Sequence, residues 1–173
     1  DLISKCVVHV PKFIRINRLI RDIPGTDIVA GNKSTNLREV IENNVRVSGG
    51  TLTDIRSREV KVRDIKENEL KLNRIIYKTP YSTEYFLSFD TIKDDKIAGF
   101  LRLSLPHTKY IKNPLLNELK DSSLIREVHV YGRANILGGD SYMTSQHLGL
   151  GTKLIEEANK ISKKKKYTKT SVI

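Results

Sequence analysis

The chain has 173 residues, of which 38% are hydrophobic and 29% charged, enough for one packed domain with or without a connector. No apolar run approaches the roughly 20 residues of a membrane-spanning helix, and a single cysteine, Cys6, excludes an internal disulfide framework. The net charge of +11 favours a polyanionic partner through counterion release, with the solvated surface of a basic protein as the plainer alternative.

In chain order, Val7-Val8-His9-Val10 and Phe13–Ile20 read as short β-like runs. Lys12, Arg15, Arg18 and Arg21 recur every third residue with no acid between them, either a line of phosphate contacts or a solvated face. Asp22-Ile23-Pro24-Gly25 carries turn chemistry. Ser34 or Thr35 can cap a helix from Asn36 to about Arg46, with Leu37, Val40, Ile41 and Val45 as its apolar stripe and Ser48-Gly49-Gly50 as its stop. Arg56-Ser57-Arg58-Glu59 leads into an alternating run, Val60, Val62 and Ile65. Three strands are predicted at Leu72–Tyr77, Thr83–Phe89 and Lys96–Leu105, with Asp94-Asp95-Lys96 as a hairpin turn. Phe86, Phe89, Ile97, Phe100 and Leu103 read as core. Pro106–Ser123 is a polar insertion, and Leu124–Tyr131 reads as a central strand buried on both faces. A Gly-rich loop, Ala134–Ser145, precedes a helix from Gly151 to about Lys163, on which Leu150, Leu154, Ile155, Ala158 and Ile161 recur at helical spacing. Lys163–Lys166 suits the C-terminal end of the dipole; a solvated helix end is the simplest reading, and an RNA contact is the other. Tyr167–Ile173 begins another strand.

The segment Gln146-His147-Leu148-Gly149-Leu150-Gly151-Thr152 stands between the predicted central strand and that helix. Glycines let a backbone approach a phosphate closely, and the unpaired amides of a first helical turn stabilise an anion. A bare Gly-x-Gly is more often an ordinary turn. The dinucleotide fingerprint is not met, because position 154 is Leu, and no Gly-Lys-Ser/Thr of a P-loop occurs. Alternation puts Glu127, His129 and Tyr131 on one strand face. Such a set can serve as base, partner and proton donor, and His129 is equally readable as a packed core histidine.

The order strand, loop, Gln-x-x-Gly-x-Gly, helix resembles the acetyl-CoA site of the GNAT acetyltransferases. Arg126-Glu127-Val128-His129-Val130-Tyr131-Gly132 followed by Gln146–Gly151 is similar, more closely, to the acetyltransferase-like domain of the Elongator catalytic-subunit family. Arg18-Leu19-Ile20-Arg21-Asp22-Ile23-Pro24, Asn36-Leu37-Arg38-Glu39 and Asp54-Ile55-Arg56-Ser57-Arg58-Glu59-Val60 resemble further family segments in the same order.

The resemblance implies an α/β, mixed-sheet (α+β) GNAT-like fold, incomplete at its C-terminus. It implies that 1–24 end a radical S-adenosylmethionine domain, that 25–80 form a basic connector, and that 81–173 form the GNAT-like domain. It implies acetyl-CoA bound by Glu127, Val128, His129, Val130, Gln146, His147, Leu148, Gly149, Leu150, Gly151 and Thr152. Glu127, His129 and Tyr131 are the catalytic candidates, although the family's more usual tyrosine lies in a motif beyond the residues here, so the chain alone is expected to be inactive. Lys12, Arg15, Arg18, Arg21, Arg56 and Arg58 are the expected tRNA contacts. S-adenosylmethionine and a [4Fe–4S] cluster belong to the upstream domain; Cys6 alone cannot hold the cluster. Some relatives carry a zinc knuckle where Leu52–Ser57 stand here, but no thiol is present, so no metal is expected. The partners implied are tRNA, acetyl-CoA and other Elongator subunits, with no membrane, in the cytoplasm or, in a eukaryote, the nucleus. Three functions compete: C5-carboxymethylation of the tRNA wobble uridine(34), driven by a radical generated in the upstream domain; protein lysine (histone-type) acetylation; and a non-enzymatic, acetyl-CoA-responsive tRNA-binding scaffold.

Overall fold

A computed structural model describes residues 2–19, 25–31, 36–61, 65–107, 114–132 and 149–173. The chain forms two compact units, Asp1–Arg58 and Glu59–Ile173.

In the first unit the apolar spacing makes helices. Helix α1, Leu2–Val7, carries Ile3 and Val7 one turn apart. Helix α2, Leu37–Val47, buries Leu37, Ile41 and Val45 and leaves Val40 exposed. Val7 packs against that stripe, with Ile3, Val8, Ile16, Leu19 and Leu52 around it. The helix ends at Ser48, where the amides of Gly49 and Gly50 return to the carbonyls of Arg46 and Val45. A short α3, Ile55–Arg58, follows. Arg38 ties these pieces together, donating to Glu42 on its own helix, to the Ile16 carbonyl, to the buried Asp54 carboxylate and to Ser57.

Two expectations are corrected here. Val7 closes a helix instead of opening a strand, because its partners lie on α2 at helical spacing. Phe13–Leu19 is irregular, with Ile14 accepting the Ile55 amide, so the described part of that run is not a strand. The expected cap at Ser34 or Thr35 and the turn at Asp22–Pro24 lie outside the described residues. Asn36 stands at the N-cap of α2 without a side-chain cap bond.

The second unit is a five-stranded mixed sheet in the order β1-β2-β3-β4-β5 with one long helix. The strands are β1, Leu70–Lys78; β2, Ser82–Thr91; β3, Ile97–Pro106; β4, Ser122–Val130; and β5, Lys169–Val172. The first three turns of the meander are antiparallel; β5 returns parallel to β4. Helix α4, Leu150–Lys164, lays Leu154, Ala158 and Ile161 on Tyr85, Leu87, Leu101, Leu103, Leu105 and Ile125. Burial of this apolar set is the main stabilising term of the unit. On the margin of α4, Arg74 of β1 pairs with Glu157, and Lys153 with Glu67.

The expected boundary at residue 80 is also displaced. The units divide between Arg58 and Glu59, and β1 pairs with β2 along its whole length. Nor is Leu124–Tyr131 the central strand. That place belongs to β3, flanked on both sides and buried at eight of its ten positions. Strand β4 has β3 along one edge, while β5 covers the other only from Ser122 to Ile125.

Candidate active site

A bulge shapes the site. Arg102 of β3 faces Glu127, but the next residue, Leu103, faces Ile125, so Arg126 is the extra residue in β4. Before the bulge Ile125 points to α4; after it Glu127 and His129 point to the opposite face, with the Tyr131 ring beside that of His129. Arg126 reaches the Glu84 carboxylate at 3.2 Å, and Glu84, itself buried, also accepts Ser82 and Ser104 at 2.6 Å. Buried carboxylates need such partners.

The face carrying Glu127 is a ladder of rings. Phe86 and Phe100 lie 5.4 Å apart, Phe100 and His129 5.9 Å, and His129 and Tyr131 4.4 Å. The Arg102 guanidinium sits 5.4 Å from the Phe86 ring and 5.5 Å from the Phe100 ring, and donates to Glu127 at 2.8 Å. Arginine suits both tasks, since its plane stacks on rings while its edge pairs with a carboxylate. His129 is exposed and stacked, not a buried core histidine, while Tyr131 is buried. The sequence therefore placed Glu127, His129 and Tyr131 on one face correctly. It did not reveal Arg102 as the partner of Glu127, nor the bulge that turns Arg126 to the same face.

The opposite corner of β4 meets the start of α4. Gly149 is the N-cap residue in a left-handed conformation, φ 62° and ψ 28°, which favours glycine. A Cβ on Gly151 would lie 3.7 Å from the Val130 side chain, so the first turn of α4 stands against the C-terminal end of β4. A Cβ on Gly99, opposite Val130, would lie 3.1 Å from the His129 carbonyl, so a side chain on β3 would be tightly placed at this corner. The first-turn amides of α4, from Leu150 through Thr152, have no residue four positions earlier within the helix to bond. Beside them, Glu127–Val130 forms the stretch of β4 that no described strand covers on its second edge. Gln146, His147 and Leu148 lie outside the described residues. Gly151, in the first turn of α4 after Gly149, is placed against Val130, and Val128 shares that strand face; Glu127 and His129 are on the same strand but its other face.

The expected RNA contacts divide. Arg15 and Arg56 converge on Asn17, through its side chain at 3.1 Å and its carbonyl at 2.6 Å. Lys12, Arg18 and Arg56 are exposed in the same unit. Arg58 is 4% exposed and presents no open guanidinium to a phosphate backbone. Arg21 lies outside the described residues. Among the described residues, no group of three His, Cys, Asp or Glu is placed to hold a metal ion, and no helix is long and apolar enough to cross a membrane.

No family model matches the chain. It is 37% identical over 185 aligned residues to the tRNA uridine(34) acetyltransferase of Methanocaldococcus jannaschii, covering 100% of this chain and 33% of that protein. It is 36% identical over 167 residues to Elongator complex protein 3 of Schizosaccharomyces pombe, covering 94% of this chain and 30% of that protein. Among solved structures it resembles the archaeal Methanocaldococcus infernus Elp3 with an N-terminal deletion, with a TM-score of 0.77 and 33% identity over 99% of this chain and 41% of that one. The chain thus spans about a third of the length of the curated relatives it matches. The mixed α/β fold with its five-stranded sheet is GNAT-like, in line with that structural match. Similarity that runs through both units and through the bulged strand and the helix beside it means that the chain belongs to the family of Elongator complex protein 3 and the tRNA uridine(34) acetyltransferases.

Proposed function

We propose that this chain is the acetyl-CoA-binding part of an enzyme that carboxymethylates C5 of uridine(34) at the tRNA wobble position. The observation that carries the reading is the corner where the uncovered stretch of β4, Glu127–Val130, ends against the first turn of α4. The names of the relatives supply the substrate. Acetyl-CoA fits this corner in two respects. The amides after Gly149 can take a pyrophosphate at the positive end of the helix dipole. The open β4 edge can take the amides of a pantetheine arm by strand addition. When bound, acetyl-CoA supplies an activated two-carbon unit. A β4 amide would polarise the thioester carbonyl. Glu127 would accept a proton, held in place by Arg102, and Tyr131 or His129 would return one. The family implies that S-adenosylmethionine and a [4Fe–4S] cluster act from a part of the protein other than these residues.

Calorimetry of acetyl-CoA binding tests the corner. Gly149→Val forces a β-branched residue into the left-handed region and should weaken binding at least tenfold. Gly149→Ala, with less strain in the left-handed region than a β-branched residue, should fall between the two if both variants melt as cooperatively as the parent. Equal affinity in folded Gly149→Val and parent would remove this corner as the site.

A further inference from the structure

The other end of α4 carries charge that the proposed acetyl-CoA site does not use. Lys163 and Lys164 close the helix, and Lys165 caps it. The chain then turns back, with the Tyr167 amide donating to Ser162 and the Thr168 and Lys169 amides donating to the Asp121 carbonyl. That pairing brings the Lys120–Asp121 turn against Thr168–Lys169, just before β5 aligns with β4. Lys120, Lys163, Lys164, Lys165, Lys166 and Lys169 are all exposed. Against these six lysines stand, among the described residues of these segments, Glu118 and Asp121, leaving a surplus of four positive charges. None of the six forms an ion pair among the described residues, whereas Lys153 near the start of the helix pairs with Glu67.

We infer that this corner is a docking surface for the phosphate backbone of RNA. The helix dipole accounts for Lys163 and Lys164 only, because its effect fades within the last turn. It gives no reason for Lys120 and Lys169, which other elements bring to the same corner. Clustered like charges without counter-charges repel, and a polyanion relieves that repulsion while releasing its own counterions. Lysine ammonium groups on flexible stems suit phosphates read without regard to sequence. Among the described residues the patch offers no exposed aromatic for a membrane interface, and the Tyr167 hydroxyl is tied to the Pro106 carbonyl at 2.8 Å. The surface lies about 22 Å along the helix from Gly149, at 1.5 Å per residue. It rests on the tRNA reading only for which RNA is carried, and not on acetyl-CoA.

The test is binding against salt in the purified protein, with tRNA and with a generic RNA duplex as probes. The variants are Lys165→Gln/Lys166→Gln/Lys169→Gln and the same three positions changed to Arg. Each phosphate contact contributes about 0.9 to the slope of log affinity against log salt on duplex nucleic acid. The Gln variant should lose up to about 2.7 units of slope on the duplex, about 0.9 for each of the three positions, and the Arg variant should keep the parental slope. A parental slope in the Gln variant overturns the inference. So does equal loss in the Arg variant, which would trace the effect to folding. Loss of binding to phosphatidylserine vesicles with RNA binding intact would assign the patch to a lipid surface and also overturn it. Patch-dependent binding of the duplex by the full-length protein, with its S-adenosylmethionine- and cluster-binding part, that leaves uridine(34) unmodified would uphold the surface and sink the wobble reading alone.

Discussion

Glu127 and Arg102 show how one contact can matter to chemistry and little to stability. Their ion pair is partly exposed, with side-chain exposures of 41% and 17%, so it contributes on the order of 0–1 kcal/mol. Glu127→Gln should therefore leave thermal melting within a few degrees of the parent. Turnover on tRNA should fall about 100-fold or more if Glu127 handles a proton. Unchanged turnover would remove it from the reaction. Tyr167 gives a pH prediction. Burial, and then the nearby Asp121 charge, raise its phenol above the ordinary value of 10.0. A folded-state value above the unfolded one means stability that is full below pH 10 and declines as pH rises through the folded value. Tyr167→Phe should flatten that alkaline decline in denaturation curves, while losing about 1 kcal/mol at neutral pH with the bond to Pro106. At this scale the period of two sufficed to put Glu127, His129 and Tyr131 on one face. Arg102 as partner and Arg126 as bulge depend on register across strands, which no local pattern encodes.

At the scale of elements, α4 and β5 differ in how firmly they are held. Leu154 is fully buried in the centre of the α4 stripe. Leu154→Ala should cost about 2–5 kcal/mol in denaturant unfolding; a loss below 1 kcal/mol would mean that the helix is not packed there. Strand β5 is short and mostly exposed. Hydroxyls supplement its ladder: Ser122 meets Ser171 at 2.8 Å, and Ser123 meets Thr170 at 3.1 Å and Ser162 of α4 at 2.8 Å. Ser123→Ala leaves Ser162 and Thr170 without that shared partner. Amide exchange at Lys169–Val172 should then quicken while β3 stays slow. Helix α4 was legible because its apolar residues, Leu150 to Ile161, repeat at a spacing of 3.6 over about three turns. Helix α1 was not, because Val7–Val10 alone fits a strand as well as a helix end. Its partners Ile41 and Val45 lie more than thirty residues away.

For the molecule as a whole, protection should follow the sheet order. Strand β3, flanked on both sides, should exchange most slowly, with α4 and the first half of β4 next and β5 fastest among the strands. Slow exchange at Val128–Val130 without ligand would argue against an open β4 edge. The order of elements in the second unit, and the place of the Gly149–Gly151 turn after β4, were readable from the sequence because each rests on local periodicity and turn chemistry. The boundary at Arg58 and the flanking of β3 were not, since both follow from long-range pairing: β1 with β2, and β5 with only four residues of β4. The most direct measurement follows the carbon itself. The full-length protein, with the part that binds S-adenosylmethionine and the cluster, would receive carbon-13-labelled acetyl-CoA, tRNA, S-adenosylmethionine and a reductant without oxygen, and the tRNA nucleosides would be weighed by mass spectrometry. Uridine(34) should carry the labelled two-carbon unit, and Gly149→Val should abolish it. Unlabelled uridine(34) with the label on a protein lysine would contradict the tRNA reading and make the chain part of a lysine acetyltransferase.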